Sequence, residues 1–336
     1  EGTLTTGANY TIAIGKEAGK SITSGAGNTA IGYQALRLET TGTGNTVIGY
    51  QAAPVQSGAS YNTVIGREAM LAADGTESSN VAIGQSSMGG ANNNSITSNV
   101  AVGRNSMVGG TGVLDRNVAI GYFAMDGTGA INAQQNIFIG DNAGGGTWTT
   151  AASNSNVAIG ATAMSAALNG ALGNTAIGHD GLKAVTTGDY NTTLGRGAGT
   201  AITTTSSTVA IGNYALSAIT STGDYTIAIG HGAMGGAEIG DGNIAIGYQS
   251  MQNANAAGLH RNIAIGYQSM LGGNYSESNL SNVAIGVAAL KFASGSSYNV
   301  AVGYGSLDAN TTSDYNTAVG IDTLGVATTA VRNTAV

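Results

Sequence analysis

The chain has 336 residues, of which 55 are glycine, one is proline and none is cysteine; charged residues make up 9% and the net charge is −7. Three phenylalanines and one tryptophan are too few for a thick isotropic core, while 42% hydrophobic residues exclude a disordered chain. The negative charge argues against nucleic acid or anionic membrane as partners, no apolar run reaches the roughly 20 residues of a bilayer span, and disulfides and thiolate metal sites are excluded. A thin, regular core satisfies these bounds, and the order of residues supplies one. The segment Asn28-Thr29-Ala30-Ile31-Gly32 returns at Asn45–Gly49, Asn62–Gly66 and Asn80–Gly84, and it continues through Asn316–Gly320. The closing glycine recurs every 17 to 20 residues, and a nineteenth copy begins at Asn333.

Each copy predicts one short strand. Residues three and one before the glycine are β-branched or Leu, and the residue between them is small, nearly always Ala. This period-2 alternation, bounded by polar residues, is a strand signature. The expectation is that the β-branched side faces the core and that the Ala side lies against something approaching closely. Four residues past the glycine is a second apolar slot, which holds Leu36, Leu182, Leu216 and all eight methionines, Met70 and Met88 among them. Spacers rich in Gly, Ser, Thr, Asn and Asp separate the copies, as turns do. One coil of this length cannot bury an apolar face alone, but stacked coils bury a continuous one. Sixteen of the nineteen copies carry Asn four before the glycine, the exceptions being Thr11, Thr208 and Thr226, which predicts a ladder of stacked amides. The fold expected is all-β: a parallel β-solenoid of about 19 coils of 17–20 residues, with residues 1–336 forming one continuous array within a longer fibrous protein.

The nine residues Asn28-Thr29-Ala30-Ile31-Gly32-Tyr33-Gln34-Ala35-Leu36, with close variants at Asn243–Met251 and Asn262–Met270, resemble the tail-fibre repeat of bacteriophages. They also resemble, at a different period, the head repeat of trimeric autotransporter adhesins. The resemblance covers essentially the whole chain. It implies three chains side by side, an extracellular location on a virion or alternatively a bacterial surface, and recognition of a cell-surface glycan or protein receptor. No enzyme activity and no cofactor are expected of so uniform a repeat, and because raw solenoid ends would expose strand edges, neighbouring fibre domains or subunits are expected at both ends.

Individual site candidates are sparse. Twelve of fourteen tyrosines fall in two slots, one following the glycine (Tyr33, Tyr50, Tyr248) and one preceding the Asn (Tyr61, Tyr225, Tyr298). They read either as sugar-stacking rows or as structural ladders covering the edge of the core. The long spacers 89–98, 126–135, 141–155 and 271–281 are candidates for recognition, and the single tryptophan, Trp148, is the one residue singled out for receptor contact. Gly15-Lys16-Glu17-Ala18-Gly19-Lys20-Ser21 imitates a phosphate-binding loop with one residue too few, and Gly195–Gly199 is an equally weak glycine run. His179, His231 and His260 lie in separated coils, and Asp189, Asp224 and Asp314 read as turn residues. No catalytic constellation and no metal site are expected. An ice-binding solenoid is a further reading, opposed by threonines that follow no strict Thr-x-Thr row. A glycan-cleaving enzyme would need paired carboxylates that the repeat does not place on neighbouring coils.

Overall fold

The computed structural model describes residues 8–73, 77–90, 96–219, 223–236, 240–253, 259–272 and 280–336. The chain falls into two compact units, Glu1–Gly173 and Asn174–Val336. Both are built from parallel strands of two or three residues, and the described residues contain no helix. In the first unit nine such strands, from Ile12–Ile14 to Val157–Ile159, lie side by side, each pairing with the same motif one coil away. The second unit stacks ten, from Thr175–Ile177 to Thr334–Ala335. Register never slips: Ala30 faces Val47, Ala101 faces Ala119, and Ala264 faces Ala284. This is a parallel β-solenoid. A smaller sheet of Ile96–Thr97, Leu114–Asp115 and Ala133–Gln134 forms where three consecutive long spacers stack on one another.

Backbone groups bond along the stack even at the corners. The Gly32 N–H donates to the Ile14 carbonyl at 2.8 Å and Gln34 to Lys16 at 3.0 Å, both in the coil before, whereas Leu36 donates to Ala52 in the coil after at 3.1 Å, so each corner is tied to both neighbours. The chain turns these corners through left-handed residues two and four past the glycine, as at Gln34 (φ 57°) and Leu36 (φ 49°), and at the residue before the Asn, as at Tyr61 (φ 59°). The motif glycine adopts a region open only to glycine, with φ 131° at Gly32 and 141° at Gly121. A Cβ at Gly32 would also strike the carbonyl of Gly49, and one at Gly121 the carbonyl of Gly140. Two independent constraints therefore hold glycine in that slot.

The face of the strand is the reverse of the expectation. Ala30, Ala82, Ala119 and Ala228 are fully buried, whereas the residues on either side of them are half-buried or exposed. Volume decides this. The coil is thin, and Leu36, Met125 or Met251, also fully buried, occupy its interior from the opposite wall. A second bulky residue on the strand would not fit, so the small side points in and the β-branched side points out. Ala is small because a wall does come close, but that wall is the coil's own Leu/Met slot. Serines one residue before that slot tie it to the strand: Ser87 Oγ donates to the Ala101 carbonyl and Ser250 Oγ to that of Ala264, each at 3.0 Å.

The Asn ladder forms. In the first unit Asn45 Nδ2 donates to Asn28 Oδ1 at 3.1 Å, and the same link runs through Asn62, Asn80, Asn99, Asn117, Asn136 and Asn156. Each Oδ1 also accepts the backbone N–H of the following Asn, and the second Nδ2 hydrogen goes to a spacer carbonyl, as from Asn45 to Ala59 at 2.7 Å. These amides are buried with donors and acceptors used, the condition under which buried polar groups stabilise rather than destabilise.

Candidate interaction face

The repeat leaves one periodic apolar surface. Because Ala points inward, strand alternation turns the β-branched neighbours outward together, as Val118 with Ile120 and Ile263 with Ile265. They form two adjacent columns on the outer face of each unit. Ile120 is 37% exposed and Leu194 47%, values that ordinary core residues do not reach. One residue beyond the glycine runs a third column, of Tyr, Arg and His in most coils. An aliphatic centre beside Tyr and Arg is the composition of protein–protein contact surfaces.

The tyrosine columns resolve as ladders. Tyr33 and Tyr50 stack at 5.2 Å, Tyr248 and Tyr267 at 5.2 Å, and Tyr298 and Tyr315 at 5.1 Å, with ring planes within 21° of parallel. His231 extends one of them by stacking on Tyr248. Arg67 covers the Tyr50 ring at 6.0 Å, and Arg332 covers Tyr315 at 5.7 Å. Rings that face one another have spent the flat surface a sugar would need, which favours the structural reading of these rows.

Trp148, the candidate for receptor contact, is a core residue. Only 3% exposed, it packs edge-on against Phe138 at 6.2 Å and donates its indole N–H to the Gly144 carbonyl at 3.3 Å. The pair explains two departures from the repeat. Phe138 replaces the strand Ala, Gly144 replaces Leu/Met, and a Cβ on Gly144 would lie 2.7 Å from the Phe138 ring. Space surrendered in one slot is taken by the other.

The remaining candidates also resolve locally. Gly19, in the phosphate-loop lookalike, sits in the Leu/Met slot against Ile22 and donates its N–H to Ala35. Gly199 does the same against Ile202 and Thr193, donating to Ala215. His179 Nδ1 lies 2.7 Å from Asp180, and His260 Nδ1 accepts the Asp241 N–H at 2.9 Å. Asp224 and Asp314 accept the N–H groups of Ser206 and Ser297, each at 2.7 Å, so the turn aspartates bond between coils rather than within their own turn. Asp189 donates its N–H to Ser206 Oγ at 3.0 Å. Among the described residues no three His, Asp or Glu side chains gather to hold a metal. Of the long spacers, 126–135 and 141–155 are described throughout, whereas 91–95 and 273–279 lie outside the described residues.

Glu39 went unnoticed in the sequence. It is fully buried seven residues past its glycine, where other coils place Ile22, Val185 or Ile202. Its carboxylate accepts five backbone N–H groups: Thr40, Thr41, Gly42 and Gly58 on Oε1, and Ala59 on Oε2. The signal available was a lone acid in an apolar slot just before Thr-Thr-Gly, a turn with exposed donors. No protein-family model matches the chain, and no curated protein matches it.

Proposed function

We propose that the chain is a structural and adhesive fibre segment, without catalysis, whose copies associate through the β-branched face and present receptor-binding surface to a cell. The observation that carries this is the outward Ile/Val strip, repeated at coil pitch through each unit. A surface with that period is matched along its length only by another surface of the same period, which points to further copies of this chain. Three copies around one axis would bury all three strips, the arrangement implied by the resemblance of Asn28–Leu36 to phage tail-fibre repeats. A virion fibre is accordingly the leading assignment, and the head of a bacterial surface adhesin is the alternative. Receptor contact is assigned to the spacers, where coils differ from one another, because the strip is nearly the same in every coil.

The test is the mass of the native particle. Wild type should sediment as three chains at micromolar concentration. Ile120→Asp and Ile265→Asp place charges on the outer strip, and they should yield single chains whose far-UV circular dichroism is unchanged. A wild type that sediments as one chain, or variants that keep the multimer, would sink the reading. One observation favours a second reading: Thr29 with Ile31, Thr46 with Ile48 and Thr63 with Ile65 give three consecutive coils an outward Thr–Ile pair, as on an ice-binding surface. Thermal hysteresis by a single-chain variant would support it.

A further inference from the structure

The buried amide ladder of the second unit is interrupted at one place. Asn191 donates to Asn174 at 3.0 Å, and the links from Asn243 through Asn262, Asn282, Asn299 and Asn316 to Asn333 are complete. Between these stretches the slot holds Thr208 and Thr226, both fully buried. Thr208 Oγ1 still donates to Asn191 Oδ1 at 2.6 Å, but Thr226 Oγ1 has no hydrogen-bond partner. A threonine is too short to span the coil spacing in both directions, so the steps from Thr208 to Thr226 and from Thr226 to Asn243 lack the buried rung of this slot. Elsewhere on the first step, Ser217 Oγ donates to the Gly235 carbonyl at 3.0 Å. The backbone ladder does continue there, from Val209 N–H to the Thr226 carbonyl and from Ile227 N–H to that of Asn243, each at 2.9 Å. Outside it, Asp224 and Asp241 carboxylates accept the N–H groups of Ser206 and Asp224, bonds that lie at the solvent-facing turns.

We propose that the Thr226 coil is a built-in opening point at which the second unit separates first, into a short stretch ending at Thr208 and a long one beginning at Asn243. A solenoid's stability is approximately the sum of its coil-to-coil interfaces, so the weakest consecutive interfaces set where it opens. Two steps without a buried rung, one of them carrying an orphan hydroxyl, are weaker than every laddered step by the worth of those hydrogen bonds. This inference does not depend on the fibre assignment, because it concerns the interfaces within one chain.

Hydrogen–deuterium exchange of the whole chain, read by mass spectrometry, tests it. Amides of Val209–Ile211 and Ile227–Ile229 should exchange at least about tenfold faster than those of Val283–Ile285 and Val300–Val302, as expected for losing one to two buried hydrogen bonds. The double substitution Thr208→Asn with Thr226→Asn should complete the ladder and remove the difference. Asn299→Thr should create a new fast-exchanging site in the stretch that is continuous in the wild type. Equal protection of all four strands in wild type would overturn the proposal. So would fast exchange that persists in a folded double variant; if that variant does not fold, Asn299→Thr without local loss of protection overturns it.

Discussion

Gly121 illustrates how little freedom a repeat position has at the residue scale. Its φ of 141° lies outside the range of side-chain-bearing residues, and its missing Cβ is the space in which the Gly140 carbonyl sits. Gly121→Ala should cost about 3 kcal/mol, combining backbone strain with the displacement of a neighbouring coil, and a denaturant titration of the first unit's signal will show it. Asp126 presents the opposite case, a residue the fold would be better without. Its Oδ1 is buried with no partner, and burial holds its carboxyl above the ordinary range, outweighing a hydrogen bond from its own backbone. A carboxyl whose folded pKa is raised binds its proton more tightly folded than unfolded, so stability falls as pH rises through that window. Asp126→Asn should therefore raise the melting temperature at neutral pH. It should change little below about pH 2.5, where the carboxyl is protonated in both states. A gain of equal size at both pH values would mean that charge is not the cause.

Within one coil, the element is a closed volume shared between two slots, and the Phe138–Gly144 exchange makes that quantitative. Phe138→Ala should leave a cavity costing about 3–5 kcal/mol. Gly144→Leu alone should be destabilising, since its side chain would enter the Phe138 ring. Together the two substitutions recreate the Ala30–Leu36 arrangement, and Leu36 shows that a leucine sits in this slot at φ 49°. The double variant should therefore recover most of the loss, and a double-mutant cycle from chemical denaturation measures the coupling. The same volume argument explains what the sequence could and could not tell. The repeat, its glycine, the Asn ladder and the parallel register were all legible because they recur at fixed spacing. Which face of the strand points inward was not legible. Alternation of Ala with Ile says that the two faces differ, and ranking them by hydrophobicity chooses Ile, whereas in a coil this thin size decides. Trp148 misled in a related way: a unique residue in a spacer looks like a recognition device until it is seen buried edge-on against Phe138, the ring that Gly144 leaves room for. Glu39 was missed because its one signal, an acid where other coils place Ile22 or Val185, does not by itself tell a carboxylate held by five N–H groups from an ordinary turn residue.

At the scale of the molecule, each unit is a sum of nearest-neighbour interfaces. Its sheet contains no pairing except that of one coil with the next, as Ile263 pairs with Val283 and Val283 with Val300. Such a structure should tolerate the loss of a whole repeat far better than the loss of part of one. Deleting residues 282–298 removes one complete coil of the second unit and joins Ser281 to Asn299. The new junction keeps a left-handed residue before the Asn, since Ser281 already has φ 54°. Asn299 then meets Asn262, the partner Asn282 had at 3.1 Å, so the amide ladder closes over the gap. The strand Val300–Val302 likewise replaces Val283–Ile285 against Ile263–Ile265 without a change of face. The shortened chain should fold and melt cooperatively, with a modest drop in melting temperature for one lost interface. Deleting residues 286–290 instead keeps the strand Val283–Ile285 but removes its corner glycine and Leu290, so the coil retains a strand with no residue to fill its interior. That variant should lose the ordered signal of the second unit, which circular dichroism melts of the two deletions beside the intact chain will show. Equal damage from both would mean that stability depends on this particular coil rather than on the phase of the repeat.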